Sequence, residues 1–136
     1  MSSGAVIGPA EVPLTGCDAF FLALEDLMAA GGQGRHTGLT VVEVGPGLDV
    51  AAFRDAVRRF SLSHPLLHAK LCRAWLLGVP YWKTPEALQP DGVPFVEHAP
   101  GTDRDACCRR LLQSESDAFL EIHLLTGADR STIIAR

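Results

Sequence analysis

Three side chains that can bind a metal ion recur at intervals of four in the segment FSLSHPLLHAKLC, residues 60–72. They are His64, His68 and Cys72. On an α-helix this spacing would place two imidazoles and a thiolate on one stripe, a ligand set that suits Zn²⁺. Pro65 works against that stripe, because proline disfavours the helical conformation in the residue before it and ends a preceding helix.

The segment is better interpreted as a junction, in which a helix ends at His64 and a strand starts directly after Pro65. A four-residue step along a strand spans roughly 13 Å, at about 3.3 Å per residue. That separation is too large for ligands that must each lie about 2 Å from the same ion. We therefore predict no metal site in this segment, and a polar strand face after a helix-terminal histidine.

The other residues that could take part in catalysis lack recognisable partners. They are His36, His98, His123, Cys107, Cys108, Ser114 and Ser116. We predict structural or solvent-facing roles for the histidines, and buried, inert thiols for the two cysteines on the core side of a helix. No nucleophile-elbow glycines flank the serines. The aromatic residues Trp75, Tyr81 and Trp82 are predicted to be core. No catalytic residue and no cofactor-binding residue is therefore assigned within the chain.

The glycine-rich segment GGQGRHTG, residues 31–38, is not interpreted as a phosphate-binding loop. A phosphate loop follows a strand and opens a helix, whereas this segment follows a predicted helix and precedes a predicted strand. It also lacks the Gly-Lys-Ser/Thr ending of such loops. We predict a connecting loop with no role in nucleotide binding.

Length and composition indicate one small globular domain. The 136 residues are 47% hydrophobic and 21% charged, with a formal net charge of −4. No basic block suggests nucleic-acid binding, and no apolar run reaches the ~20 residues of a membrane span. Four cysteines without a Cys-x-x-Cys pair favour reduced thiols and a cytoplasmic location. Residues 1–12 are predicted to be a flexible lead.

Periodicity and capping signals predict three helices and several strands. The predicted helices are 17–30, capped by Thr15 with Asp18, then 49–61, capped by Asp49, and 102–112, capped by Thr102 with Asp105; the predicted strands are 39–44, 66–72, 76–82, 95–98, 119–125 and 131–135. The last two should form a hairpin around the turn TGADR. The predicted fold class is α+β, a two-layer sandwich with a mixed, mostly antiparallel sheet and helices on one face.

Two helical faces are predicted to be buried. They comprise Cys17, Phe20, Phe21, Leu24, Leu27 and Met28 in the first helix, and Phe53, Ala56, Val57 and Phe60 in the second. The chain stops at STIIAR, inside an apparent strand, where ladder groups and apolar side chains would lack partners. We therefore expect a partial domain.

Two patterns, PLTGCDAFFLALE at residues 13–25 and LDVAAFRDAVRRFSLSHPLLHAKL at residues 48–71, carry a resemblance to a known superfamily. With the order of elements, they resemble the N-terminal part of condensation domains and related acyltransferases, which include chloramphenicol acetyltransferase and wax ester synthases. His64 and Leu67 match the family's Arg-His-x-x-Leu-Arg segment. Ser63 and His68 stand where that segment often has arginine.

The resemblance covers residues 13–136 and implies the first lobe of a chloramphenicol acetyltransferase-like fold. In the family, a hairpin like residues 119–136 runs into the signature His-His-x-x-x-Asp-Gly, and this sequence ends before that position. The implied catalytic histidine is therefore absent from the chain, and a C-terminal lobe is missing. The implied reaction transfers an acyl group from a coenzyme A or carrier-protein thioester to an alcohol, amine or thiol, with no bound cofactor.

Two other interpretations remain open. The half-fold could be a non-catalytic interaction module that pairs through an open strand edge. Alternatively, the protein could be a metal-binding regulator that uses the His64, His68 and Cys72 spacing.

Overall fold

The computed structural model describes residues 10–33, 38–74, 76, 78–116 and 118–136. The helices are α1 (Gly16–Ala30), α2 (Val50–Leu62) and α3 (Arg104–Gln113), with a 3₁₀-helix at Pro65–His68. The strands are β1 (Glu11–Pro13), β2 (Thr40–Val44), β3 (Lys70–Arg73), β4 (Pro80–Lys83), β5 (Phe95–Glu97), β6 (Ile122–Thr126) and β7 (Ser131–Ala135). His36, Trp75 and residues 1–9 of the predicted lead lie outside the described residues.

The strands form two sheets. A three-stranded antiparallel sheet has the order β1-β4-β3, and a four-stranded sheet has the order β2-β7-β6-β5. In the larger sheet only β5 and β6 are parallel. The prediction of a mixed, mostly antiparallel α+β fold is confirmed, as is the hairpin of β6 and β7. Because β1 pairs with β4, the folded part begins within the segment predicted as a flexible lead.

Helix α1 begins as predicted but does not bury the predicted face. Thr15 and Asp18 form a reciprocal capping box, and Gly32, at φ +71°, follows the helix end in the left-handed conformation. No residue of α1 is buried, and Leu27 is 70% exposed. The prediction of a buried face is wrong for the described residues, because no other helix or strand among them makes extensive contact with α1.

Helix α2 starts at its predicted cap, where the Asp49 carboxylate accepts a hydrogen bond from the Ala52 amide at 2.9 Å. Of its predicted buried face, Phe53 contacts Phe95 of β5 edge-on, with ring centroids 5.8 Å apart. Phe60 is instead 57% exposed. The predicted face is therefore only partly covered.

The strand predicted to follow Pro65 begins later. Pro65 is the first residue of the 3₁₀-helix, where its fixed φ suits a helical turn and its missing N–H costs nothing. The amide of Leu67 donates to the His64 carbonyl at 3.0 Å, and the amide of Ala69 donates to the Leu66 carbonyl at 3.0 Å. These short-range bonds hold a turn where alternation in the sequence suggested a strand.

The N-cap of helix α3 lies one residue after the predicted cap. Asp103, not Thr102, is the N-cap, and its carboxylate accepts from the Ala106 amide at 2.7 Å. The Thr102 hydroxyl donates instead to the Ala99 carbonyl at 2.7 Å. An acidic side chain at this position also interacts favourably with the helix dipole.

Contacts place α2 and α3 on opposite faces of the larger sheet. The core cluster joins Cys107 and Leu111 of α3 to Leu125 and Ile134 of the hairpin. Phe95, which α2 contacts, pairs with Ile122, so by strand alternation it lies on the other face. Helices α2 and α3 therefore contact opposite faces of the larger sheet.

Candidate functional site

Two histidines that the sequence leaves without partners contact each other. His98 follows β5, and His123 lies in β6, which pairs with β5 in parallel. His98 Nε2 lies 3.1 Å from His123 Nδ1, while the ring centroids are 5.3 Å apart. The rings therefore meet edge to edge through a hydrogen bond. The pairing depends on strand register between residues 25 positions apart, which no local pattern reveals.

The neighbours of this histidine pair fix the positions of its protons. Arg110 Nη2, a donor, lies 3.5 Å from His98 Nδ1, so this nitrogen is assigned as an acceptor. His98 then carries its proton on Nε2 and donates to His123 Nδ1. The remaining proton, on His123 Nε2, faces Glu121 Oε2 at 3.5 Å, without a direct hydrogen bond.

Glu121 connects the histidine pair to the end of β7. Its carboxylate accepts a hydrogen bond from the Ser116 hydroxyl and lies 3.5 Å from Arg136 Nη1. Arg136 also donates to the Ser114 hydroxyl at 2.9 Å and to the Ser114 carbonyl. The backbones of Glu121 and Arg136 exchange two hydrogen bonds of 3.0 Å. Ser114 and Ser116 therefore stabilise this end of the sheet.

The cluster has a thiol next to an imidazole, but the thiol is inaccessible. Cys107 Sγ lies 3.7 Å from His98 Nε2 and is 1% exposed. A nucleophilic cysteine requires a thiolate that a substrate can reach. Burial raises the pKa of the neighbouring Cys108 thiol, with smaller contributions from the Cys107 and Asp105 charges. The prediction that Cys107 is buried is confirmed, and Cys108 is half-buried.

The His64, His68 and Cys72 side chains do not form one group. His64 stacks on Phe60 with centroids 4.1 Å apart, and His68 Nε2 lies 3.1 Å from the Ser61 carbonyl oxygen. Across the part of the chain that the structure describes, no group of three or more His, Cys, Asp or Glu side chains is placed to bind a metal ion.

Two adjoining clefts lie beside strand β3, and the larger of them also reaches the residues before β6. The larger, here called the apolar cleft, has a volume of about 360 Å³ and is lined mainly by uncharged residues, among them Leu67, Val93, Phe119 and Leu120. The smaller, here called the lysine cleft, has a volume of about 180 Å³ and is lined by His68, Lys70, Cys72, Lys83, Thr84, Pro85 and Glu86. The two clefts share His68, Lys70 and Pro85, so a single elongated ligand could occupy both.

The elements and their pairing define a partial chloramphenicol acetyltransferase-like fold, as found in condensation domains. The resemblance predicted from residues 13–25 and 48–71 is confirmed at the level of the fold. No protein-family model matches the sequence, and no curated protein matches it significantly.

Particular solved structures give the extent of this likeness. The first condensation domain of the calcium-dependent antibiotic synthetase, solved with a substrate analogue, superposes with a TM-score of 0.68 at 16% identity, over 93% of this chain and 33% of that chain. The epimerization domain from the third module of tyrocidine synthetase B gives a TM-score of 0.61 at 15% identity, over 98% of this chain and 31% of that chain. The chain thus spans about a third of the length of these structures.

No helix of the described residues has both the length and the apolar composition that a membrane span requires.

The histidine pair predicts a loss of stability in mild acid. Burial, followed by the charges of His123 and Arg110, lowers the pKa of His98 below its usual value of 6.5. Below that pH the unfolded chain therefore binds more protons than the folded chain, so the free energy of unfolding falls as the pH drops. Above pH 6.5 the free energy of unfolding keeps the full contribution of the neutral His98 ring. Urea unfolding between pH 7.5 and 5 should show this slope.

The matched variants are His98→Gln, which removes the titrating ring, and His64→Gln, which removes an exposed one. The slope should flatten in His98→Gln and persist in His64→Gln. A His98→Gln protein with the parental pH dependence would show that the pair does not govern acid sensitivity.

Proposed function

We propose that this chain is the N-terminal lobe segment of a condensation-like acyltransferase. The observation that carries the proposal is the match to a condensation domain over 93% of the chain with a TM-score of 0.68. Residues 13–136 would form this lobe, and a second, C-terminal lobe would complete the domain. The catalytic His-His-x-x-x-Asp-Gly motif would follow Arg136 in the longer protein.

The position of β7 supports this proposal. Its last residues pair with the start of β6 beside Leu120, which lines the apolar cleft. A motif that continues from Arg136 would therefore begin near this cleft. The Glu121 and Ser114 contacts would hold the strand end in place before the motif. The apolar cleft would then form part of the substrate channel between the two lobes.

The proposed reaction is acyl transfer from a thioester. The second histidine of the motif would act as general base, taking the proton from an alcohol, amine or thiol. The nucleophile would bond to the thioester carbonyl carbon, and the sulfur would leave as a thiol after it receives a proton. The donor would be acyl-coenzyme A or an acyl group on a carrier protein's pantetheine arm, and the acceptor a small molecule. A thioester is consumed as a reactant, so no resident cofactor is required.

The setting that we propose is cytoplasmic. The four cysteines are all free, including the exposed Cys17, as a reducing compartment would favour. No partner other than the thioester donor, the acceptor and, where the donor is protein-bound, a carrier protein is part of the proposal.

The test uses the gene beyond Arg136. We expect a His-His-x-x-x-Asp motif within roughly a dozen codons, and the longer protein should transfer acyl groups from thioesters in a mass-spectrometric assay. Replacing the second histidine by alanine should lower the rate at least about a hundredfold, as general-base loss typically does. A reading frame without the motif, or a variant with full activity, would contradict the proposal.

The alternative function is a non-catalytic interaction module. Strand β2 favours it, since this edge strand exposes Val41 by 42% and Val42 by 47%. An open edge with apolar side chains can pair with a strand of another chain. Gel filtration of the chain tests this alternative: stable association favours it, and a well-behaved monomer counts against it.

A further inference from the structure

The Glu121 carboxylate lies between two side chains that can each carry a positive charge. Its Oε2 atom is 3.5 Å from Arg136 Nη1 and 3.5 Å from His123 Nε2. These side chains are shielded from solvent, with 18% of Glu121, 9% of Arg136 and 8% of His123 exposed. Among the described residues, His123 Nε2 is buried and has no hydrogen-bond partner. One carboxylate oxygen is therefore equally distant from a permanent cation and from a histidine that can gain a proton.

The charges of this buried cluster balance only while the histidines carry no extra proton. Arg136 contributes one positive charge and Glu121 one negative charge. A charge on His123 would leave an excess of one, and an uncompensated buried charge is strongly destabilising. Within the described ranges, the other titratable or charged groups that contact the pair are Arg110 and Cys107 of α3, and neither is an anion in ion-pair contact with it. The cluster can therefore accept a proton only if one cation leaves Glu121.

The surroundings decide which ring of the pair holds an added charge. A positive charge on His98 would face the Arg110 guanidinium at 3.5 Å, whereas one on His123 would face Glu121 Oε2 at 3.5 Å. A nearby like charge disfavours the ionised form of a group, and an opposite charge favours it. The lowered pKa of His98, caused first by burial and then by the charges of His123 and Arg110, agrees with this order. The first charge therefore belongs on His123.

The hydrogen bond between the two rings provides the route for the proton. His98 is only half-buried, so its Nδ1 can take a proton from solvent. The proton on His98 Nε2 then crosses the 3.1 Å hydrogen bond to His123 Nδ1. His98 ends neutral with its proton on Nδ1, and His123 ends as an imidazolium with protons on both nitrogens. Arg110 Nη2 loses its acceptor on His98 but keeps Cys107 Sγ, at 3.8 Å.

We propose that the His98–His123 pair is a proton-sensitive switch that releases the end of β7. When the pair takes up a proton, the His123 imidazolium binds Glu121 and displaces Arg136. Arg136 is the cation that leaves, because it follows β7, whereas His123 lies within β6. The Arg136 guanidinium also donates to the Ser114 hydroxyl and carbonyl at the end of α3, so its departure loosens the strand end from that helix. This inference concerns the chain itself and does not depend on the proposed acyl transfer.

Nitrogen NMR of the ¹⁵N-labelled chain tests the proton transfer without any substitution. Long-range ¹H–¹⁵N correlations of the histidine rings distinguish the imidazolium from each of the two neutral tautomers. Between about pH 7.5 and 5, where histidines titrate, we expect His123 to become an imidazolium. At the same midpoint His98 should change from the Nε2–H to the Nδ1–H tautomer. An imidazolium that forms first on His98, with His123 unchanged, would overturn the proposal.

Hydrogen exchange tests the release of the strand end. The amides of Glu121 and Arg136 donate to each other's carbonyls at 3.0 Å, so their protection reports the closed end. After correction for intrinsic exchange rates, this protection should fall at least about tenfold between about pH 7.5 and 5.5. Leu125 and Thr132, which pair further along the same hairpin, are the internal control and should change less. An equal fall at both pairs would mean that acid unfolds the chain as a whole, and would overturn the switch.

Glu121→Gln tests whether the carboxylate connects the histidines to Arg136. The variant keeps the size of the side chain but removes its charge, so protection of the Arg136 amide should already be low at pH 7.5 and should no longer depend on pH. Glu86→Gln is the matched control, because it removes an exposed carboxylate outside the cluster, and it should behave as the parent. Parental pH dependence in Glu121→Gln would overturn the proposal. If Glu121→Gln fails to fold, the tautomer measurement on the parent chain decides alone.

Discussion

Replacing Gly92 by alanine is expected to lower the free energy of unfolding by about 3 kcal/mol. Gly92 has φ +77°, in the left-handed region, where a residue with a Cβ costs about 1–2 kcal/mol. Its Cβ would overlap the Ser61 hydroxyl and lie 3.2 Å from Arg58 Cα. Overpacking of this kind typically costs a further 1–3 kcal/mol. Urea unfolding followed by circular dichroism would measure the loss.

A control at Gly47 separates the two contributions. Gly47 has φ +86°, but a Cβ added there would meet no atom within 4 Å. Gly47→Ala should therefore show only the conformational cost, about 1–2 kcal/mol. If both variants lost the same stability, the close approach of Gly92 to α2 would make no contribution.

The contact at Gly92 depends on Ser61, a polar residue that is fully buried in α2. Its hydroxyl donates to the Arg58 carbonyl at 2.9 Å and accepts from the Val93 amide at 3.2 Å. A single serine thus satisfies a buried amide of the loop that leads into β5. This explains why a glycine must precede Val93: any larger residue would displace the hydroxyl that the loop needs.

Local signals account for most of what the sequence predicts correctly. The Thr15–Asp18 capping box, the Asp49 cap and the hairpin turn each depend on residues a few positions apart. A side-chain oxygen at a helix start accepts from a backbone N–H that has no partner within the helix. Only a few residue types can do this, so their sequence signature is strong. Alternation is weaker evidence, as the 3₁₀-helix at Pro65–His68 shows. There, short-range bonds that a proline permits override the strand pattern.

Features that depend on distant residues could not be predicted. The contact between His98 and His123 requires the parallel register of β5 and β6, and the opposition of Lys70 and Lys83 requires that of β3 and β4. Amphipathic periodicity indicates that a face of α1 is apolar, but not what covers it. The resemblance in residues 13–25 and 48–71 supplied the fold, whereas the clefts emerged only from the folded arrangement.

Replacing Ile134 by alanine is expected to lower the free energy of unfolding by about 3–4 kcal/mol. Ile134 is 0% exposed and belongs to the core cluster with Cys107, Leu111 and Leu125. Truncation of a buried isoleucine loses transfer free energy and leaves a cavity, which together cost about 2–5 kcal/mol. Helix α3 and strand β6, which line that cavity, are each held by their own backbone hydrogen bonds. They should therefore move only a little to fill the cavity. Urea unfolding with an unchanged m-value would measure it.

Val41→Ala is the matched control, because Val41 is the cross-strand partner of Ile134 on edge strand β2. Val41 is 42% exposed, so its truncation should cost under about 1 kcal/mol. Ile134→Val, which removes one methylene, should cost about 0.5–1.5 kcal/mol. A graded series, with Val41→Ala smallest and Ile134→Ala largest, would place the stability of this lobe in the α3–hairpin interface. Equal losses at Val41 and Ile134 would instead mean that the edge strand is as tightly held as the core, and would remove the basis for treating β2 as an open edge.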